Sequence, residues 1–241
     1  MNIKKKHVLI FGGSSDIGIE VIKIFLKLNW NVSAHYFKNK TKLNLLKEKS
    51  KNLNLIKLDF SKADPRIETL IKKNLKDKYD SIINLIGYID NKGYENTNLK
   101  SITKSLTANM IIPVLIEKNC VKKMISQKWG RILNCSSIGI KFGGGKNSFN
   151  YSLSKHCLEF IPNSYKFWAE NNVFINNLRI GVTDTKIHKR MKKNLQLKER
   201  LKLIPAKRMA TPSEMAIYIV NLSTEENSYM TGQTLIVSGG E

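Results

Sequence analysis

Three side chains able to move a proton or to bind a developing charge lie near the middle of the chain. Tyr151 and Lys155 are four residues apart, so on a helix they share one face and can contact each other. A neighbouring cation favours the phenolate and would move the tyrosine pKa from about 10 towards neutrality. Ser137 ends an apolar segment fourteen residues earlier. The Tyr–Lys pair suits a general acid, although a chance pair on a solvated helix face is the simpler alternative.

A glycine-rich turn follows the first apolar segment. Residues 7–11 predict a β-strand, and Gly12–Gly18 leads from it into a helix. In such a turn glycine lets the backbone approach a pyrophosphate, which the N–H groups at the helix start attract. The position between strand and helix favours dinucleotide binding over a structural turn. Asp16 would repel a pyrophosphate, so we expect its side chain to turn away and cap the helix.

The end of the second predicted strand, residues 31–36, indicates which nicotinamide cofactor would bind. An acidic residue there accepts from the free ribose hydroxyls and repels a 2′-phosphate. The chain has no acid from His35 to Lys40, and Lys38 and Lys40 could pair with a phosphate. We therefore predict NADP(H) as the preferred cofactor, with NAD(H) as the alternative.

Short apolar segments alternate with longer amphipathic ones, which is typical of a parallel sheet covered by helices on both faces. Helices are predicted over 17–28, over 149–170 and over 99–127, where Pro113 should kink or reset the helix. Thr211–Glu214 is a capping box that starts the last helix. No linker or repeat occurs, so residues 1–241 should form one doubly wound α/β domain. The predicted strands are 7–11, 31–36, 53–58, 81–86, 130–135, 173–180 and 233–237.

Eight short segments occur in the order and spacing of one protein family and span nearly the whole chain. They are Gly12–Gly18, Asp59, Asn84–Gly87, Asn109, Gly130–Ser137, Tyr151–Lys155, Gly181–Thr185, and Thr231–Gln233 with Gly239–Gly240. The sequence resembles the short-chain dehydrogenase/reductases, in pattern the 3-oxoacyl-[acyl-carrier-protein] reductases. The resemblance implies a single-domain Rossmann fold with a seven-stranded parallel sheet in the order 3-2-1-4-5-6-7. It also implies an oxidoreductase that interconverts a ketone and a secondary alcohol.

Four residues take catalytic roles under this resemblance. Tyr151 would donate a proton to a carbonyl oxygen, and Ser137 would hydrogen-bond the developing oxyanion. Lys155 would hold the nicotinamide ribose and lower the pKa of Tyr151. Asn109 would hold a water that links Lys155 to solvent.

The resemblance also implies the cofactor contacts. Asp59 would accept from the adenine amino group, Asn84 would stabilise the central strands, and Thr185 would meet the carboxamide or pyrophosphate. A turn residue and a helix cap remain alternatives for Asp59 and Thr185. No metal ligand is predicted. The predicted cofactor-binding set is Gly12, Ser14, Ser15, Ile17, Gly18, Tyr36, Lys38, Asp59, Asn84, Gly87, Tyr151, Lys155, Gly181, Thr183 and Thr185.

Five sites depart from the family pattern without removing a catalytic group. Phe11 stands where threonine is usual and Asp16 where glycine is usual. Leu85-Ile86 replaces Asn-Ala, Ile180 replaces proline, and Ser238 replaces aspartate. These departures bear on the geometry of the cofactor cleft.

The chain carries a formal net charge of +22, from 41 Lys and Arg against 19 Asp and Glu. Because 35 of these basic residues are lysines, compositional drift explains the total better than nucleic-acid binding, which relies on arginine. Residues 186–208 hold ten basic residues and one acid, a net +9, where the chain average gives about +2. The resemblance implies that this segment forms the flap over the substrate. It is either a solvated basic helix or a surface that attracts an acidic carrier protein, a coenzyme A thioester or a phosphorylated or nucleotide-linked sugar.

Cysteine usage and hydropathy indicate the state of the thiols and the absence of a predicted membrane span. The three cysteines are far apart in the sequence, which predicts reduced, buried thiols. No run of roughly 18 apolar residues predicts a membrane span. We expect a cytoplasmic protein without nucleic-acid or membrane partners. Apolar residues on the helices beside the site suit a homodimer or homotetramer, and equally the core: Phe149, Phe160, Ile161, Phe167 and Trp168.

The leading interpretation is an NADP(H)-dependent ketone reductase or alcohol dehydrogenase for an anionic, small or carrier-linked carbonyl substrate. A 3-oxoacyl thioester is the first choice, and a sugar or nucleotide-sugar of surface polysaccharide synthesis is the second. A catalytically silent cofactor-binding scaffold is an alternative, against which the intact Asn109, Ser137, Tyr151 and Lys155 argue. Charge-driven nucleic-acid binding is another, and no arginine-rich recognition motif supports it.

Overall fold

Seven parallel strands form one sheet at the centre of the protein. The computed structural model describes residues 5–60, 66–75, 78–186 and 195–241. The sheet has the order β3-β2-β1-β4-β5-β6-β7, as predicted, and every neighbouring pair is parallel. The strands are β1 (His7–Phe11), β2 (Asn31–Tyr36), β3 (Leu53–Lys57), β4 (Ser81–Asn84), β5 (Gly130–Ser137), β6 (Val173–Ile180) and β7 (Thr234–Val237).

Helices cover both faces of the sheet, as the doubly wound pattern requires. Buried residues of α1 and α9 pack on one face, and those of α3 and α5 pack on the other. The helices are α1 (Asp16–Lys27), α2 (Thr41–Lys49), α3 (Ile67–Asn74), α4 (Leu99–Leu106), α5 (Ile112–Gln127), α6 (Phe149–Leu158), α7 (Tyr165–Glu170), α8 (Leu195–Leu203) and α9 (Pro212–Leu222).

Alternation along the strands divides the core into two halves. In β1, Val8 and Ile10 belong to the cluster that holds α1, whereas Leu9 and Phe11 belong to the cluster that holds α5. All four side chains are fully buried, because a central parallel strand is covered on both faces. Because β1, β4 and β5 are parallel neighbours, their carboxyl ends lie side by side at one edge of the sheet.

The predicted helix over 99–127 changes its winding in the middle. A π-helical turn, Thr107–Ile111, separates α4 from α5. The Ile112 N–H donates to the Thr107 carbonyl five residues earlier, and Pro113 follows within the first turn of α5. Because proline has no N–H to continue the helical ladder, the helix is reset here, as predicted.

The predicted helix over 149–170 is wrong as a single element. It is divided into α6 and α7 by residues 159–164. Pro162 lies in this gap, and a proline disfavours helical backbone at the preceding residue and removes a hydrogen bond. Phe160 and Phe167 are exposed at 83% and 55%, so they do not belong to the core. Their part in a homo-oligomer stays a prediction.

None of the helices in the described part of the chain combines the length and the apolar character required to cross a membrane.

Candidate active site

A cleft of about 480 Å³ opens at the carboxyl ends of the strands. This is the edge at which ligands bind in open parallel sheets. Most of the predicted site residues line it: Gly12, Ser14, Ser15, Ile17, Tyr36, Gly87, Ser137, Tyr151, Lys155, Gly181, Thr183 and Thr185.

The glycine-rich turn requires glycine at two positions for different reasons. Gly12 has a φ of +77°, and a Cβ there would lie 2.7 Å from the Leu85 carbonyl oxygen. At Gly18 a Cβ would lie 2.7 Å from the Gly12 carbonyl oxygen. Gly12 therefore permits the left-handed backbone of the turn, and Gly18 permits the close packing of α1 against it.

Ser15, and not Asp16, caps α1. The backbone of Ser15 is extended, and its side-chain oxygen accepts from the Gly18 N–H at 3.0 Å. This is the usual contact of an N-cap. The predicted capping role of Asp16 is therefore wrong. Asp16 is already the first helical residue, and its carboxylate turns instead to Lys42 Nζ and to the backbone N–H of Lys186, both at 2.8 Å.

Free backbone donors at the start of α1 face the cleft. Among the described residues, the N–H groups of Ser14, Asp16 and Ile17 donate to no protein acceptor, and all three residues line the cleft. The partial positive charge of a helix N-terminus adds to these donors. Together they form a binding position for an anion such as a phosphate.

Ser137, Tyr151 and Lys155 meet at the other end of the cleft. Ser137 and Tyr151 both line the cleft, and the Ser137 hydroxyl is close enough to the phenol to act on its pKa. Lys155 is buried, and its Nζ donates to the Ile86 carbonyl at 2.6 Å and to the Cys135 carbonyl at 2.7 Å. The ammonium is thus held between the segment that follows β4 and the carboxyl-terminal part of β5.

Burial dominates the ionisation of both titratable groups. It raises the pKa of the Tyr151 phenol, although the neighbouring Ser137 hydroxyl acts in the opposite direction. It also lowers the pKa of Lys155 to about 8, with Cys135 and Glu159 opposing. The resemblance predicted a lowered pKa for Tyr151, and this structure gives the opposite direction. Two backbone carbonyls hold the Lys155 ammonium. For the Tyr151 phenol, the loss of water on burial is the largest effect on the pKa, and it favours the neutral form.

Asn109 lies under the site in the π-helical turn. It is fully buried. Its Oδ1 accepts from the Tyr88 N–H at 2.7 Å, and its Nδ2 donates to the Tyr88 carbonyl and to Ser154 Oγ, both at 2.9 Å. Asn109 therefore joins the loop after β4 to α6, the helix that carries Tyr151 and Lys155. The predicted water-holding role stays a prediction.

A second polar cluster lies in the core beside the cleft. Asn84 Nδ2 donates to Asn134 Oδ1 at 2.6 Å and to Glu117 Oε1 at 3.0 Å. These contacts tie β4 to β5 and to α5, so Asn84 acts between the central strands. Burial raises the pKa of Glu117 to about 7, although hydrogen bonds from Asn134 and Asn84 oppose the shift.

Five predicted residues do not line the cleft, and each has another position. Gly18, Asn84 and Asn109 are buried behind it, where they support the residues in front. Lys38 and Asp59 are exposed side chains outside the lining.

The sequence analysis missed an aromatic wall of the cleft. His35, Phe37 and Phe60 line it, and His35 stacks on Phe60 at a ring distance of 4.7 Å. His35 Nδ1 accepts from the Gly12 N–H at 3.3 Å, and Nε2 donates to the Leu58 carbonyl at 3.0 Å. Burial lowers the pKa of His35 to about 4, with the bond to Leu58 opposing, so the ring is neutral. The run of ring-bearing residues His35-Tyr36-Phe37 at the end of β2 was the available signal.

The family comparison covers the whole site. A family model described as Enoyl-(Acyl carrier protein) reductase matches residues 12–241. A relative from Aquarana catesbeiana, named Dehydrogenase/reductase SDR family member 6, is 29% identical and aligns over 98% of this chain and 96% of its own length. The chain belongs to the short-chain dehydrogenase/reductase family.

Other short-chain dehydrogenase/reductases are similar along their full length. The 3-oxoacyl-[acyl-carrier-protein] reductase FabG of Buchnera aphidicola is 30% identical over 100% of this chain and 98% of its own. The protein of the same name from Chlamydia pneumoniae is 27% identical over 98% and 96%. These names and the description of the family model refer to different reductases of one family.

Solved structures of the family share the fold. A 3-oxoacyl (acyl-carrier-protein) reductase from Agrobacterium tumefaciens C58 with NADP bound gives a TM-score of 0.86 at 21% identity, over 98% of this chain and 94% of that one. ElxO with NADP bound gives a TM-score of 0.85 at 25% identity, over 98% of both chains. The likeness extends over the sheet, the helices and the cleft edge of this short-chain dehydrogenase/reductase.

The basic segment over 186–208 is largely ion-paired where the structure describes it. Arg200 pairs with Glu241 at 3.0 Å, Lys202 with Glu199 at 2.8 Å, and Arg208 with Glu214 at 2.6 Å. Two of these acids lie outside the segment, so its local charge is smaller than the sequence indicates. Lys189, Arg190, Lys192, Lys193 and the side chain of Lys198 lie outside the described residues.

Proposed function

We propose that this protein is an NADP(H)-dependent reductase that interconverts a 3-oxoacyl thioester and the corresponding 3-hydroxyacyl thioester. The observation that carries the proposal is that Ser137, Tyr151 and the buried Lys155 line one cleft, with the Lys155 ammonium held by two backbone carbonyls. A phenol and a hydroxyl that are neighbours in the same cleft can both reach one carbonyl oxygen.

The chain supplies the proton and the oxyanion contacts. Tyr151 donates its proton to the substrate oxygen, and Ser137 donates a hydrogen bond to the same oxygen as negative charge develops there. The raised pKa of Tyr151 keeps the phenol protonated at neutral pH, as the reduction direction requires. The bound cofactor supplies the hydride to the carbonyl carbon.

The free amides of Ser14, Asp16 and Ile17 fit the diphosphate of a dinucleotide. The neutral His35 and the phenyl rings of Phe37 and Phe60 give an apolar wall suited to an adenine ring. No acid follows β2, which favours a 2′-phosphate at the exposed Lys38. ElxO, which was solved with NADP bound, supports the same choice.

The substrate class is supported by the named relatives. Besides the FabG proteins, an acetoacetyl-CoA reductase from an Acinetobacter strain is 28% identical over 68% of this chain and 65% of its own. Both names describe reduction of a 3-oxoacyl thioester. Lys186, which is exposed at the rim of the cleft, adds a positive charge for an anionic carrier.

The test is Tyr151→Phe, compared with Tyr229→Phe as a matched control. Tyr229 is 94% exposed and receives the same loss of one hydroxyl. NADPH consumption with acetoacetyl thioesters should fall by about 10²- to 10⁴-fold in Tyr151→Phe, because the proton donor is lost. The dissociation constant for NADPH, measured by nicotinamide fluorescence, should change by less than about threefold. Turnover near the wild-type rate in Tyr151→Phe would refute the proposed chemistry.

A further inference from the structure

An ion pair at the rim of the cleft joins three separate parts of the chain. Asp16 is the first residue of α1, and its side chain is 14% exposed. Its Oδ1 contacts Lys42 Nζ in the first turn of α2 at 2.8 Å. Its Oδ2 accepts from the backbone N–H of Lys186, a few residues after β6, at 2.8 Å. The carboxylate therefore uses both oxygens to hold the rim together.

The position of this carboxylate presents an electrostatic conflict. Asp16 and Lys186 both line the cleft, and the backbone N–H of Asp16 is one of the free donors that suit a phosphate. A carboxylate next to a diphosphate repels it. Lys42 does not line the cleft among the described residues, yet its ammonium contacts the carboxylate from the outer side.

The carboxylate is ionised in the pH range in which the protein would work. Burial opposes the ionisation of Asp16, but hydrogen bonds from Lys42 and from the Lys186 N–H, together with the charges of both lysines, outweigh burial and lower its pKa. Protonation of Asp16 is therefore not available to relieve the repulsion. A cation in contact with it has to do so.

We propose that Asp16 is a positioning residue that ties the chain after β6 to the phosphate-binding turn, and that Lys42 makes this carboxylate compatible with the cofactor by neutralising its charge. Lys42 thereby controls cofactor affinity without contacting the cofactor. This inference rests on the proposed function, since it needs a dinucleotide in the cleft. It also gives a physical reason for an acid where glycine is usual in the family.

The test is a double-mutant cycle on NADPH binding. Lys42→Met, Asp16→Asn and the combination are compared with Lys49→Met, which removes the same charge from an exposed position of the same helix. The dissociation constant is measured by fluorescence at low and at high salt, and thermal unfolding checks that each variant is folded. The asparagine at position 16 keeps an acceptor for the Lys186 N–H while it removes the negative charge.

Lys42→Met should weaken NADPH binding by about fivefold to tenfold in the wild-type background, because it leaves one uncompensated negative charge in the lining of the cleft. In the Asp16→Asn background the same change should alter the dissociation constant by less than about twofold. The effect should shrink at high salt, and Lys49→Met should remain within about twofold of wild type.

Two results would overturn the inference alone. Equal weakening by Lys42→Met in both backgrounds would mean that Lys42 acts on the cofactor directly. No weakening in the wild-type background would mean that the ion pair does not influence binding. If the wild-type protein failed to bind NADPH, the proposed function would fall as well, so the two failures are distinguishable.

Discussion

Glu117 makes the stability of the protein depend on pH in a direction that can be calculated. Its carboxyl is buried in α5 against Asn84 and Asn134. Burial raises its pKa in the folded state from 4.5 to about 7. The folded protein therefore binds this proton more tightly than the unfolded chain does. The stability from this group is fully present below about pH 4.5 and is lost as the pH rises through about 7.

The magnitude follows from the size of the shift. A difference of about 2.5 pKa units corresponds to about 3 kcal/mol of unfolding free energy. Glu117→Gln cannot lose a proton, and it keeps a carbonyl oxygen that can accept from Asn84 Nδ2. The variant should therefore gain stability relative to wild type as the pH rises from 5 to 8, by about 2.5 kcal/mol.

Urea unfolding at pH 5, 6, 7 and 8 measures this difference directly. Other titrating groups are common to both proteins, so the change in the difference with pH reports Glu117. Glu95→Gln is the control, because Glu95 is exposed and its variant should follow wild type at every pH. A difference between Glu117→Gln and wild type that stays constant from pH 5 to 8 would refute the reasoning.

Three further changes test the framework of the cleft. Asn109→Ala removes three hydrogen bonds and should cost about 2–4 kcal/mol of unfolding free energy and slow reduction at least about tenfold; wild-type urea stability would contradict this. Gly12→Ala should destabilise by more than about 1 kcal/mol and weaken NADPH binding, whereas Gly143→Ala, at φ +65° with no heavy atom near its Cβ, should show only the backbone cost. Because burial lowers the pKa of His35 to about 4, its contribution to stability falls as the pH drops from 6.5 towards 4, and His35→Asn should show a flatter acid limb in urea unfolding; an unchanged acid limb would argue that His35 is charged when folded.

The strands and the last helix could be predicted because their signals are local. The bounds predicted for β1, β2 and β6 are those observed, since each is a short apolar run between turn residues. The capping box at Thr211 and Glu214 is also present as predicted, because its two hydrogen bonds lie within four residues of sequence. The signal for the break between α6 and α7, Pro162, was equally local. The prediction missed it because the apolar pattern continues on both sides of the proline.

Contacts between distant segments could not be predicted. The Lys155 ammonium donates to Ile86, 69 residues away, and Asp16 accepts from Lys186, 170 residues away. A helix wheel places Tyr151 beside Lys155 and a capping rule suits Asp16, but neither includes the carbonyls and lysines that the fold brings to these atoms. The predicted lowering of the Tyr151 pKa and the predicted capping role of Asp16 were therefore both wrong. Lys155 is held by two backbone carbonyls, and Asp16 is held by Lys42 and by the backbone of Lys186.

The sequence by itself determined the glycine-rich turn after β1 and the placement of Ser137, Tyr151 and Lys155 at one edge of a parallel sheet, which follow from residue type and short spacing. The order of the strands came from the resemblance to one family. Only the tertiary structure decided how strongly each of these groups is buried. Burial sets the cost of charge, and it raises the pKa of Tyr151 and lowers that of Lys155, because water is replaced by side chains that come from every part of the chain.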